Sequence, residues 1–188
     1  MQPAITDKYL YDEILNLKNE FNCNVFIETG TWNGTTISEL AKHFDNLKTI
    51  EINFKKYNEA KEKNSQNKNV ELYFGNSSDI LQSILNKNNN YMFFLDAHFR
   101  NYWPILDELK IIASFQLTPV ILIHDFFVPD ENGKAKFGYD SFRGQPLNFN
   151  YVQKEIENIY GGQYKHYCLE NTDINAGTGI FLPTNTKG

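Results

Sequence analysis

Two aspartates and two histidines stand at the ends of two apolar runs. Asp96 and His98 follow residues 91–95, and His124 and Asp125 close residues 120–123. If these runs are neighbouring parallel strands, their backbones lie about 4.8 Å apart, and both carboxylates face one cleft. Paired carboxylates can hold a divalent cation, which lowers the pKa of a hydroxyl and aligns it for attack. Oxygen ligands favour Mg2+, or Mn2+ if an imidazole joins the shell. The candidate metal ligands are therefore Asp96 and Asp125. The candidate catalytic residues are Asp96, His98 and His124, with a histidine available to take up an acceptor's proton. Strand alternation predicts that His124 and Asp125 point to opposite faces, so that both cannot readily enter the cleft. A plainer alternative stays open, in which the two aspartates only brace loops by accepting backbone N–H bonds.

A second set of chemical groups lies in residues 25–41. Val25 to Ile27 is a buried strand, Glu28 to Gly34 a glycine-bearing turn, and Thr35 opens a helix. A dinucleotide site wants G-x-G-x-x-G, because a pyrophosphate must approach the backbone closely. Here Gly30 and Gly34 are four apart, and the phosphate-loop pattern is absent too. The turn suits a nucleoside carrying one short tail. Glu28 at its base could pair with a cationic amino-acid tail, and Trp32 could wall off that tail or simply pack. Glu51, about 20 residues beyond the first glycine, is placed to receive both hydroxyls of a ribose. Asn76 could read an adenine edge, while Ser77 or Ser78 could cap the helix that follows.

Strands and helices alternate in a way that positions these groups. Strands are predicted over residues 25–28, 47–51, 70–73, 91–96 and 119–124. Helices are predicted over 9–19, 35–43, 54–64, 79–85 and 107–115, and the alternation implies right-handed parallel crossovers. Residues 127–148 then lack any period and contain three glycines and two prolines. A connection of that length after strand five is expected to act as a lid. Tyr102, Trp103, Phe127, Tyr139 and Phe142 could line an acceptor pocket beneath it, with Arg143 suited to an anion. A helix over 151–160 and strands over 165–170 and 179–183 complete one domain spanning 1–188.

Composition narrows the partners. The chain has 188 residues, a net charge of -5, 41% hydrophobic and 15% aromatic residues. A sizeable core is expected, with roughly 70% of the unfolded surface buried. The acidic balance weakens a nucleic-acid partner, no run is long enough to span a membrane, and no secretory leader is visible. Cys23 and Cys168 lack metal-ligand spacing, which fits a reduced, cytoplasmic setting. The expected partner is a small-molecule acceptor; the oligomeric state, a homodimer included, is left open.

The sequences Glu28-Thr-Gly-Thr-Trp-Asn-Gly-Thr-Thr36 and Gly75-Asn-Ser-Ser-Asp-Ile-Leu81, with Glu51 between them, together resemble class I S-adenosylmethionine-dependent methyltransferases. The resemblance implies an α/β Rossmann-like three-layer sandwich. Its seven-stranded, mostly parallel sheet has order 3-2-1-4-5-7-6, with strand seven antiparallel. It also implies that Glu28, Gly30, Thr31, Trp32, Gly34, Thr35, Glu51, Asn76, Ser77 and Asp96 bind S-adenosylmethionine. The stretch Leu95-Asp-Ala-His-Phe99 with Trp103-Pro and Asp107-Glu-Leu109 is similar to metal-dependent sugar O-methyltransferases and the cephalosporin hydroxylase-like group. That likeness implies metal ligands at Asp96 and Asp125, with Mg2+ or Mn2+ as the cation. Where some relatives carry an acid before the second aspartate, this chain has His124, which leaves the shell one ligand short. The implied activity is methyl transfer to a hydroxyl of a small molecule, a sugar among the options. N-methylation without metal and cofactor binding without turnover are the alternatives; a nicotinamide dehydrogenase is the weakest.

Overall fold

A computed structural model of the chain describes residues 3–98 and 102–184. Phe99, part of the second motif, lies outside the described residues. Helix α1 (Lys8–Glu20) starts where the Asp7 carboxylate accepts the Tyr9 and Leu10 N–H groups, and it buries Leu10, Ile14 and Leu17. The alternating part then runs β1 (Val25–Thr29), α2 (Thr35–Leu40), β2 (Asn46–Glu51), α3 (Phe54–Lys63), β3 (Val70–Phe74) and α4 (Ser77–Ile84). It continues with β4 (Tyr91–Leu95), α5 (Ile105–Ser114) and β5 (Val120–His124). A small hairpin of β6 (Ser141–Phe142) and β7 (Gln145–Pro146) precedes α6 (Phe149–Tyr160), β8 (Tyr164–Cys168) and β9 (Thr178–Pro183).

The main sheet has the order β3-β2-β1-β4-β5-β9-β8, and β9 runs antiparallel to both of its neighbours. With the small hairpin set aside, this is the expected 3-2-1-4-5-7-6 order. Alternation along the central strands divides the core into two layers. Val25, Ile27, Phe93, Leu95, Ile121 and Ile123 pack toward α4, α5 and α6. Phe26, Met92, Phe94, Val120 and Leu122 pack toward α1 and α2. Strands β1, β4 and β5 are buried throughout, as continuous apolar runs in a parallel sheet must be, whereas edge strands β3 and β8 are half exposed. Each fully buried aliphatic or aromatic side chain contributes about 1.5–3 kcal/mol.

Several boundaries differ from expectation for identifiable reasons. Helix α2 stops at Leu40, because the Asn69 side chain donates to the carbonyls of Ala41 and Phe44 beyond it. Helix α4 starts at Ser77 with Asn76 at its N-cap, so neither serine caps it; Asn76 makes no capping bond with its side chain. The connection after β5 is well tied down despite its lack of period. Phe127 N–H donates to Leu147 O (2.7 Å), Asp140 N–H to Asp125 O (2.9 Å) and Leu147 N–H to Asp140 O (2.9 Å). Leu147 is fully buried, and Arg143 and Gly144 turn the hairpin with positive φ.

Candidate functional site

A cavity of about 450 Å³ opens at the C-terminal ends of β1, β2, β4 and β5. Its two ends differ in chemistry.

At one end the turn after β1 presses onto β4. Gly30 has a φ of +85°, and a Cβ there would collide with the Asp96 carbonyl oxygen, so this position excludes side chains. Trp32, also left-handed, donates its N–H to Glu51 Oε2 at 2.7 Å, and Asn53 N–H donates to Glu51 Oε1 at 2.7 Å. The Glu51 carboxylate is thereby fixed at the cavity wall with lone pairs left over. Burial raises its pKa against those backbone bonds. Ile52, Asn53, Gly75, Asn76 and Ser77 continue the wall. The Asn76 Oδ1 accepts a hydrogen bond from the Tyr102 hydroxyl. Trp32 is half exposed beneath Lys56, whose Nζ lies 4.2 Å from the ring centre.

Four residues predicted for this end stand behind the wall instead. Glu28 accepts from Thr49 Oγ1 at 2.6 Å, and Thr49 in turn meets Thr31 Oγ1, forming a buried chain beneath the turn. Burial pushes the Glu28 carboxyl up to about 8, with hydrogen bonding opposing and Asp96 adding to the rise. Gly34 caps the start of α2 with a φ of +71°, and a side chain there would strike Ala60 of α3 and Asn64 at its C-terminal end. Thr35 bonds Asn33 and receives Lys63 Nζ. These residues shape the turn and do not line the cavity.

The other end gathers three carboxylates and two imidazoles. His124 Nδ1 lies 3.4 Å from Asp96 Oδ1 and 3.7 Å from Asp125 Oδ2. His98 Nε2 lies 4.0 Å from each of those oxygens and 3.8 Å from Asp140 Oδ2. Contrary to expectation the His124 and Asp125 side chains approach each other, yet Asp125 lines the cavity while His124, packed on Phe94, stands behind it. Asp125 takes a φ of +49°, which breaks strand alternation and brings its carboxylate round to the His124 side. Its carbonyl simultaneously accepts the Asp140 N–H. Asp140 was missed from sequence. It sits in the aperiodic connection, and nothing local distinguishes it from Asp130 or Glu131.

The electrostatics separate the histidines. Burial alone would lower the His124 pKa, but the Asp96 and Asp125 carboxylates outweigh it and push it up to about 10. His124 thus carries its proton at neutral pH and is a poor base. Burial would raise Asp125, but His124 and His98 hold it below the usual carboxylate range. Burial raises Asp140, with Asp125 and Asp96 adding to the rise against the pull of His98. Both ring nitrogens of His98 are buried without hydrogen-bond partners. A buried polar group without a partner is costly, and a cation among these acids would satisfy it. Two triads have ligating atoms within 4.8 Å of one another: Asp96, His124 and Asp125, and His98, Asp125 and Asp140. Asp140 brings a third carboxylate to this end.

The aromatic residues divide. Tyr102 and Trp103 line the cavity, and Phe142 stacks on Trp103 at 5.5 Å with Arg143 above it. Phe127 packs against Tyr139 and lines a separate cleft of about 640 Å³ with Lys136, Phe149 and His166. That cleft is larger, but of the residues predicted above for the site it takes in Phe127 and none of the catalytic, metal or cofactor residues. His43, bonded to the Tyr11 hydroxyl, and His166, stacked on Phe149, lie outside the cavity. No described helix is long and apolar enough to cross a membrane.

No protein-family model matches the chain, and no curated protein matches it in sequence. Solved structures do match in fold. The O-methyltransferase TomG from Streptomyces achromogenes, involved in tomaymycin synthesis and solved with S-adenosylmethionine, gives a TM-score of 0.60 at 18% identity, covering 92% of this chain and 78% of that one. The methyltransferase domain of bacterial CtHen1 gives 0.62 at 13% identity, covering 93% and 98%. The N-terminal domain of EvdMO1, solved in the presence of S-adenosylhomocysteine and D-fucose, gives 0.62 at 13% identity, covering 94% and 82%. Strand order, cavity position and these likenesses together show that the chain has the class I S-adenosylmethionine-dependent methyltransferase fold.

Proposed function

We propose that the chain transfers the methyl group of S-adenosylmethionine to a hydroxyl of a small molecule, with a divalent cation aiding the acceptor. One observation carries this reading. A single cavity joins a ribose-sized carboxylate anchor, Glu51, to the acid and imidazole cluster at Asp96, His98, Asp125 and Asp140. S-adenosylmethionine supplies a methyl carbon on a sulfonium, whose departing thioether needs no proton. Glu51 would hold the ribose, Ile52 and Asn76 would flank the adenine, and Gly30 and Trp32 would border the methionine tail. Asp96 and Asp125 would hold the cation beside the acceptor. As the acceptor oxygen bonds to the methyl carbon and the carbon–sulfur bond breaks, His98 would receive the hydroxyl proton. His124, already protonated, would keep the two aspartates in place.

The solved relatives favour an oxygen acceptor, since TomG is an O-methyltransferase. The EvdMO1 domain, solved with D-fucose, makes a sugar-like acceptor the first to try. A neutral amine would attack without so much negative charge beside it. The connection 127–148 would act as a lid, since it brings Asp140 and Ser141 to the cavity wall.

Isothermal titration with S-adenosylhomocysteine tests the cofactor assignment. Micromolar affinity is expected in the native protein. Failure to bind, with and without Mg2+ or Mn2+, would overturn it.

A further inference from the structure

We infer that Glu108 is a positioning residue for the cofactor, its carboxyl spanning from Thr29 at the end of β1 to Ser77 at the start of α4 and so setting the spacing of the two turns that flank the nucleoside. This role rests on the cofactor assignment proposed above, and it is exerted from behind the cavity wall. Glu108 lies on the buried stripe of α5 with Ile105, Leu109 and Ile112, where helical spacing calls for another apolar side chain. A carboxyl in such a place is costly unless its hydrogen bonds are made. Strand alternation puts Thr29 on the same side of the sheet as Val25 and Ile27, facing α4 and α5. Thr29, Ser77 and Glu108 are 0%, 5% and 1% exposed. Burial pushes the Glu108 carboxyl up to about 7, and the Ser77 and Thr29 hydroxyls beside it oppose the rise. Yet Thr29 Oγ1, Ser77 Oγ and Glu108 Oε1 each lack a completed hydrogen bond. The three groups are near enough to act on one another and are not aligned to bond.

The places of the two hydroxyls give the cluster its use. Thr29 immediately precedes Gly30, and its carbonyl accepts the Asp96 N–H at 3.0 Å. Ser77 immediately follows Asn76 and itself lines the cavity. The grip on Glu51 at the wall is already made, so the adjustable quantity is the distance between the turn after β1 and the turn before α4. A nucleoside lodged between these turns fixes that distance and brings the carboxyl into line with both hydroxyls. Bonds completed only in the complex add to affinity and not to the stability of the free fold. An apolar side chain at residue 108 would therefore leave the free protein as stable as before, or more so, because it removes a buried polar atom that lacks a partner.

The test sets S-adenosylhomocysteine titration of the full chain against thermal melting. Glu108→Leu should weaken binding about 10-fold, while its melting temperature stays at or above that of the native protein. Glu108→Gln, which keeps the length and a carbonyl acceptor, should return the affinity to within about 3-fold of native. Thr29→Val removes one partner and keeps its shape; it should weaken binding alone and add nothing to the loss in Glu108→Leu. If Glu108→Leu does not fold, Thr29→Val and Glu108→Gln decide. Undiminished affinity in Glu108→Leu or Thr29→Val, a fall in melting temperature that matches the loss of affinity, or a Gln variant as weak as the Leu variant would overturn the positioning role. The native protein separates this role from the reading it rests on. Native binding with undiminished affinity in the variants sinks the role of Glu108 alone, whereas a native protein that does not bind S-adenosylhomocysteine sinks the methyl-transfer reading and the role together.

Discussion

The two ends of the cavity are built in opposite ways. The Glu51 end comes from two strand-to-turn junctions whose backbone N–H groups grip one carboxylate. The acid and imidazole end is assembled from the tips of β4 and β5 and a distant connection, and one left-handed residue, Asp125, holds the pieces together. The first end is set by short-range hydrogen bonding and is complete as it stands. The second leaves buried nitrogens unpartnered and like charges close together. A site that is finished only when something binds is the more sensitive of the two to substitution.

The sharpest way to break this contrast is Asp96→Asn, because Asp96 touches both ends. Methyl transfer should fall about 1000-fold or more, while the melting temperature stays within a few degrees; a fall below 10-fold would remove Asp96 from the site. Gly30→Ala attacks the seam between the ends. Its positive φ and the collision with the Asp96 carbonyl should cost about 2–4 kcal/mol in urea denaturation, and a neutral result would mean the turn is not pressed onto β4.

Glu51→Ala sharpens the contrast by damaging one end only. Loss of charge-assisted hydrogen bonds should weaken S-adenosylhomocysteine binding about 10- to 100-fold and leave Mn2+ affinity unchanged. Equal losses in both titrations would show that the ends are not separable.

The smallest effect concerns pH. The folded pKa of Glu28, about 8, lies above its ordinary value of 4.5, so the native state holds the proton more tightly than the unfolded chain. Its contribution to stability is complete below about pH 4.5 and is lost as pH rises toward 8. Glu28→Gln should remove that decline, so that the stability of the variant relative to the native protein rises between pH 4 and pH 9. Glu108, fully buried and pushed up to about 7 by burial, has the same sign in both proteins and cancels in the comparison. Parallel pH profiles for the two proteins would place the Glu28 titration elsewhere.

Sequence patterning reached the first end better than the second. Glu51, Gly30 and Trp32 were legible because a strand, a glycine turn and an acid at the next strand end are local signals. Glu28, Thr31, Gly34 and Thr35, predicted for the same turn, do not line the cavity; type and spacing place a residue on the turn but not on its outer or inner surface. Asp96, Asp125, His98 and His124 were legible as strand-end residues. The convergence of His124 with Asp125 was not, because a positive φ on an aspartate leaves no mark in composition. Asp140 is placed by two backbone bonds, to Asp125 and Leu147, and no period in 127–148 announces them.

The root of that connection is also joined to the residues leading into β9, the neighbour of β5. Phe126 N–H donates to Gly177 O, Gly138 N–H to Asn175 O, and Gly177 N–H to Gly138 O. Side chains at Gly177 and Gly179 would run into Phe126. The antiparallel strand β9 is therefore a strut as well as a sheet member. Any hinge in the connection must lie outward of residues 126 and 138, and force applied at the closing strand pair would be felt at Asp125 before it reached Glu51.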